Sequence, residues 1–147
     1  MVRRCLLLAL LIAACDGGLA PPEAGGTGII KGIVRYTGRW PSQDSLINLR
    51  FVAMRFIPRD TTDFLQLNNL VFTPERLADH VAADTFVVPD APVGNYLYSG
   101  VAQHYSRALF AWRPLGLVSG PFTVRSGETT RVTVDVDFSN LPPFPPP

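Results

Sequence analysis

Two cysteines, two histidines and a scatter of carboxylates are the side chains best suited to chemistry in this 147-residue sequence. His80 and His104 have no His-x-x-x-His or Cys-x-x-Cys companion, the spacing that zinc sites draw on. Both read as surface residues. Asp135 and Asp137 alternate along one strand-like stretch and so share a face. Two carboxylates supply too few oxygens for calcium, which takes about six to eight, so they read as solvated strand residues. No Gly-x-Ser-x-Gly turn marks an acyl-transfer nucleophile. The expectation is a non-enzyme with no catalytic residue, no metal and no cofactor.

The cysteines suggest a different chemistry. Arg3 and Arg4 precede an unbroken apolar run over residues 6–14, which is shorter than the roughly 20 residues needed to span a bilayer. A short apolar run behind a basic start reads as an export leader, to be left out of fold reasoning. The run closes on Ile12-Ala13-Ala14-Cys15, and this tetrad resembles the lipobox of bacterial lipoproteins. The resemblance implies a leader of residues 1–14 cut before Cys15 and a Cys15 thioether to diacylglycerol, often with an acylated amino group. Several acyl chains hold a protein firmly, since each buried CH₂ contributes about 0.8 kcal/mol. The expected address is the cell envelope, lipid-anchored to a bacterial membrane and facing the periplasm or the surface. With Cys5 removed and Cys15 modified, no thiol remains for a disulfide, and the domain must stabilise itself by its core.

Charge gives little guide to partners. The chain has 13 basic and 12 acidic side chains; losing Arg3 and Arg4 leaves 11 against 12. The basic residues are dispersed, unlike the clustered footprint of a nucleic-acid binder, so no nucleic-acid partner is expected. Residues 15–27, after Cys15, are mostly Gly, Pro, Ala and acid, the composition of a flexible tether. Residues 140–147 are rich in proline, which lacks a backbone donor and cannot continue a central strand, and they read as a solvated tail.

Residues 28–139 alternate with period two. Ile30, Val34 and Tyr36 oppose Ile29 and Ile33; Ile47, Leu49, Phe51 and Ala53 oppose Asn48, Arg50, Val52 and Met54; Val132, Val134, Val136 and Phe138 oppose Arg131, Thr133, Asp135 and Asp137. Such alternation marks strands with one buried face. Further strand-like stretches are TFVV, NYLYSGVAQ, LFAWRPLGLV and FTVRS, and Ser126-Gly127-Glu128 reads as a tight turn. Thr73, Pro74 and Glu75 fit a helix start, with Leu77 and Val81 on one face, so a short helix or helical turn is expected in that long connection. The predicted class is all-β: an antiparallel β-sandwich of about seven strands.

Pro92, Gly94 and Tyr96, between two strands, resemble the Pro-x-Gly-x-Tyr turn of carboxypeptidase regulatory-like and transthyretin-like sandwich domains. KGIVRYTG at the start and FTVRSGETTRVTVDVDF at the end extend that resemblance over residues 28–139. It implies a usually non-catalytic module, here without a second domain to serve. The expected role is a lipid-anchored structural or protein-interaction module of the envelope. The alternative is a carbohydrate-binding module using surface aromatics. Tyr36, Trp40 and Trp112 are its candidate residues, with Trp40 in the Gly-Arg-Trp-Pro turn the best candidate for an exposed ring.

Overall fold

The computed structural model describes residues 25–147. Cys15, the predicted leader and most of the predicted tether lie outside the described residues. The chain forms β1 (Thr27–Thr37), β2 (Asn48–Met54), β3 (Leu70–Phe72), β4 (Ala83–Pro92), β5 (Gly94–Tyr96), β6 (Tyr98–His104), β7 (Trp112–Leu117), β8 (Phe122–Val124) and β9 (Thr129–Asp137). The helical segments among the described residues are short 3-10 turns at Gln43–Ser45, Thr61–Leu65 and Leu67–Asn69.

One sheet runs β4-β1-β9, a second runs β3-β2-β6-β7, and β5 pairs with β8 as a two-stranded ribbon. All seven predicted strands are present, and the NYLYSGVAQ stretch divides into β5 and β6. β3 is additional. Most pairs are antiparallel, as expected, but β1 and β9 run parallel from Ile29/Thr129 to Thr37/Asp137. Parallel neighbours need a long crossover between them, and here the rest of the domain supplies it.

The two larger sheets pack face to face because their alternating residues leave one apolar side on each. Ile30, Val34, Val132, Val134 and Val136 from the first meet Leu49, Phe51, Ala53, Val101 and Leu115 from the second. Phe51 and Phe86 stack across the middle with ring centroids 4.4 Å apart. Gly32 makes room for this, since a Cβ there would sit on the Phe86 ring.

The two seams of the sandwich differ. On one side β7 meets β9, with a bridge between Val118 and Val134. A Cβ on Gly116 would collide with the Asp135 carbonyl oxygen, so the strands approach backbone to backbone. On the other side, between β3 and β4, the connection over residues 73–82 fills the gap and sends Leu77 into the core.

That connection is where the predicted helix fails. A helix would bond the Leu77 and Ala78 N–H groups to the Thr73 and Pro74 carbonyls. All four groups are engaged elsewhere. Arg50 Nη1 donates to both carbonyls, Leu77 N–H donates to the Leu49 carbonyl at 2.8 Å, and Ala78 N–H donates to Asp84 Oδ2 at 2.8 Å. His80 then takes a positive φ of 55°. The segment is a run of bends lying along β2.

The proline-rich end is not a free tail. Leu141 packs against the core, and Phe144 reaches Phe64 with ring centroids 5.5 Å apart. Residues 141–147 thus cross from the end of β9 towards the outer face of the second sheet.

Candidate functional site

β2 is apolar on both faces. Leu49, Phe51 and Ala53 point into the core, while Val52 and Met54 form a second cluster with Leu70 and Ala102 on the outer face. A sheet with two apolar faces must be covered on both. The 3-10 turn at Thr61–Leu65 supplies part of the second cover, laying Phe64 over this cluster. Asp60 caps that turn by accepting the Thr62 N–H at 2.7 Å. The Thr62 hydroxyl donates to the same carboxylate, and this bond first, with the Thr62 N–H second, holds the Asp60 carboxyl below its ordinary range.

The cover is incomplete. Between Phe64, Leu67, Leu70 and Phe72 on one side and Leu109 and Trp112 on the other lies a groove of about 360 Å³. Its lining contains two polar side chains, Asn48 and Arg50. Leu67 and Leu109 on its rim are 64% and 63% exposed, and Leu65 and Phe72 are exposed beside them. The Arg50 guanidinium lies 5.6 Å from the Phe72 ring centroid and is tied down by the Thr73 and Pro74 carbonyls. Concentrated exposed apolar surface of this kind marks an interaction site more often than scattered residues do. The groove has apolar walls and a cationic, hydrogen-bonding margin. It can accept leucine-, phenylalanine- or methionine-like groups and hold a polar neighbour in register.

Of the three candidate aromatics, Trp112 alone lines this groove. Its ring stacks on His104 at 4.8 Å and runs nearly parallel to Phe64 at 6.3 Å. Tyr36 is buried in the core. Trp40 is half-buried rather than freely exposed: Tyr36 at 4.5 Å, Phe138 at 4.6 Å and His80 at 5.2 Å pack around its ring. Tyr36 and Trp40 therefore belong to a cluster at the end of the sandwich, apart from the groove.

That cluster includes polar groups. His80 Nδ1 is 3.0 Å from Asp79 Oδ1, and Arg76 pairs with the same carboxylate. The His80 hydrogen bond, followed by the Arg76 charge, holds the Asp79 carboxyl below its usual range. Burial, with Asp84 and Asp79 adding repulsion, pushes the Tyr36 phenol well up. These contacts hold the half-buried Trp40 ring within the cluster. His104 caps its own hairpin, with Nε2 2.8 Å from the Ala108 carbonyl. Asp135 lies 3.8 Å from Arg35, and Asp137 accepts the Ser139 N–H at 2.8 Å. Among the described residues no three His, Cys, Asp or Glu side chains gather as a metal site.

Sequence reasoning missed the groove because its walls come from stretches far apart in the chain. The available signal was β2: Val52 and Met54 sit on the side assigned to solvent, and two large apolar residues there require a cover.

No family model matches the chain, nor does any curated protein or solved structure.

Proposed function

We propose that this protein is a non-catalytic binding module, held at a bacterial membrane through lipidated Cys15, that docks an apolar segment of an envelope protein in the outer-face groove. The observation that carries this reading is the groove itself, with Leu65, Leu67, Phe72 and Leu109 exposed around it. Exposed leucines cost a soluble domain solubility, and a partner that covers them explains their presence. Among the described residues the lining has one charged side chain, Arg50, and no carboxylate or imidazole, so its parts suit docking rather than proton transfer. Anchoring is supported by Ile12-Ala13-Ala14-Cys15 behind the apolar run. It confines the domain near one membrane and raises its effective concentration for partners there.

Photo-crosslinkers placed at Leu67 and Leu109 in intact cells should each give the same discrete adduct, with none from Ile33 on the outer face of the other sheet. Equal labelling from all three positions, or no adduct, refutes the docking assignment. Cys15→Ser should abolish lipidation, and an unmodified Cys15 in membrane-extracted protein refutes the anchor.

A glycan reading survives at Trp112, because its indole lines the groove beside Asn48. In that case Trp112→Ala would abolish retention on envelope polysaccharide while Leu67→Ser would leave it unchanged. The protein-docking reading requires loss of the adduct in both.

A further inference from the structure

β1 starts at one end of the sandwich, and that end carries its own apolar tip. The Gly26 carbonyl accepts the Val93 N–H at 3.0 Å. The Val93 carbonyl in turn accepts Arg55 Nη2 at 2.7 Å. Leu97 N–H donates to the Met54 carbonyl at 2.8 Å, which places the start of the β5–β6 connection against the end of β2. Two hydrogen bonds thus link the place where the chain enters the domain to Arg55. Two residues beyond it, Ile57 is 58% exposed, and neighbouring Leu97 is 46% exposed. Together with Arg55, Arg59 and Pro145 they line a shallow depression to which no carboxylate among the described residues contributes. Asp60 and Asp63, close to Arg59 in the sequence, accept the Thr62 and Arg59 backbone N–H groups respectively.

We propose that this tip, Ile57 and Leu97 flanked by Arg55 and Arg59, rests in the interface of the lipid bilayer that holds the protein. The proposal rests on the reading of Cys15 as the anchor and goes beyond it by orienting the domain. Length supports this orientation. Residues 16–26 can span at most about 40 Å when fully extended. β1 has 11 residues and so is about 36 Å long. The opposite end, with Leu109 and Phe110, reaches the bilayer only if the connection is stretched almost to its limit. The Ile57 end reaches it with the connection far short of that limit. Aliphatic side chains beside arginines suit the boundary between acyl chains and phosphate headgroups, where the apolar group inserts and the guanidinium stays at phosphate level.

The test uses the full lipidated chain in vesicles of phosphatidylethanolamine and phosphatidylglycerol. With Cys5 removed and Cys15 in thioether linkage, a cysteine introduced by substitution is the sole free thiol. Separate chains carrying Ile57→Cys, Leu97→Cys, Val87→Cys and Phe110→Cys are labelled with an environment-sensitive fluorophore, and quenching by doxyl lipids is measured. Labels at 57 and 97 should be quenched at least about threefold more than labels at 87 and 110, as expected for side chains seated in the interface. Equal quenching at all four positions overturns the proposal while leaving the anchor intact. Stronger quenching at 110 overturns it by showing the domain inverted. Concentration-dependent shielding at 57 without doxyl quenching overturns it in favour of a second copy of the chain. A chain that fails to float with vesicles and whose Cys15 reacts with maleimide removes the anchor, and the orientation with it.

Discussion

Gly116 and Tyr98 show how single residues set the limits of this domain. Gly116 lies where β7 backs onto β9, and a Cβ there meets the Asp135 carbonyl and the Val136 side chain. Backbone cannot rotate away as a side-chain tip can. Gly116→Ala should therefore cost at least about 2 kcal/mol in urea unfolding, within the range of overpacked sites. Tyr98 has a buried hydroxyl with no partner among the described residues, and burial pushes its phenol up to about 12. In the unfolded chain a phenol titrates near about 10. The folded state thus keeps its proton where the unfolded state releases it. The group has no effect on the pH dependence of stability below about pH 10 and lowers stability as pH rises from about 10 to 12. Melting temperature against pH should show that alkaline decline, to which the raised phenols of Tyr36 and Tyr96 also contribute, and Tyr98→Phe should make it shallower while leaving neutral-pH stability equal or higher, because an orphaned hydroxyl is removed. At this scale the buried faces of β1 and β9 were legible, since Val132, Val134 and Val136 alternate with polar residues on a single strand. The surroundings of Trp40 were not, because the rings that cover it come from Phe138 and His80, distant in the sequence.

Elements were legible where one local rule acted unopposed and misread where a distant partner intervened. All seven expected strands formed because alternation and turn residues agreed. The stretch at 73–81 carries good helix-start signals, yet Arg50, Leu49 and Asp84 capture the groups that a first helical turn needs. Its job is to plug the β3–β4 seam with Leu77, which is buried. Leu77→Ala should then destabilise the domain by about 2–4 kcal/mol, as for other core truncations. Were the segment a solvent-facing helical turn, the same change would cost little, so denaturant midpoints decide between the two. β3 escaped notice because three residues are too few to show a period. The proline-rich end obeyed its composition in forming no strand, but composition says nothing of where Phe144 finds a ring to pack against.

For the molecule as a whole, the sequence carried the class, an all-β sandwich, and left the groove unseen. The groove is a property of two layers and an imperfect cover, and no single stretch encodes it. The parallel pairing of β1 with β9 was equally hidden, because register between the first and last strands depends on everything folded between them. That pairing bears on how the domain responds to mechanical force. β1 is hydrogen-bonded on both sides, to β4 and to β9, and begins where the chain enters from the proposed anchor. A pull between residue 27 and Phe138 acts along the strands, because the start of β1 and the end of β9 lie at opposite ends of a parallel pair. Every rung of the ladder is then loaded at once, in shear. A pull between Thr27 and Pro92 acts on directly opposed residues of an antiparallel pair and opens the rungs one at a time. Single-molecule stretching should therefore find a higher rupture force with handles at 27 and 138 than at 27 and 92, since forced unfolding follows the barrier along the direction of pull rather than equilibrium stability. Held by its first strand, the domain would resist tension applied along β1 and β9 as a cleat holds a rope along its length, yielding readily only when peeled from the β4 side.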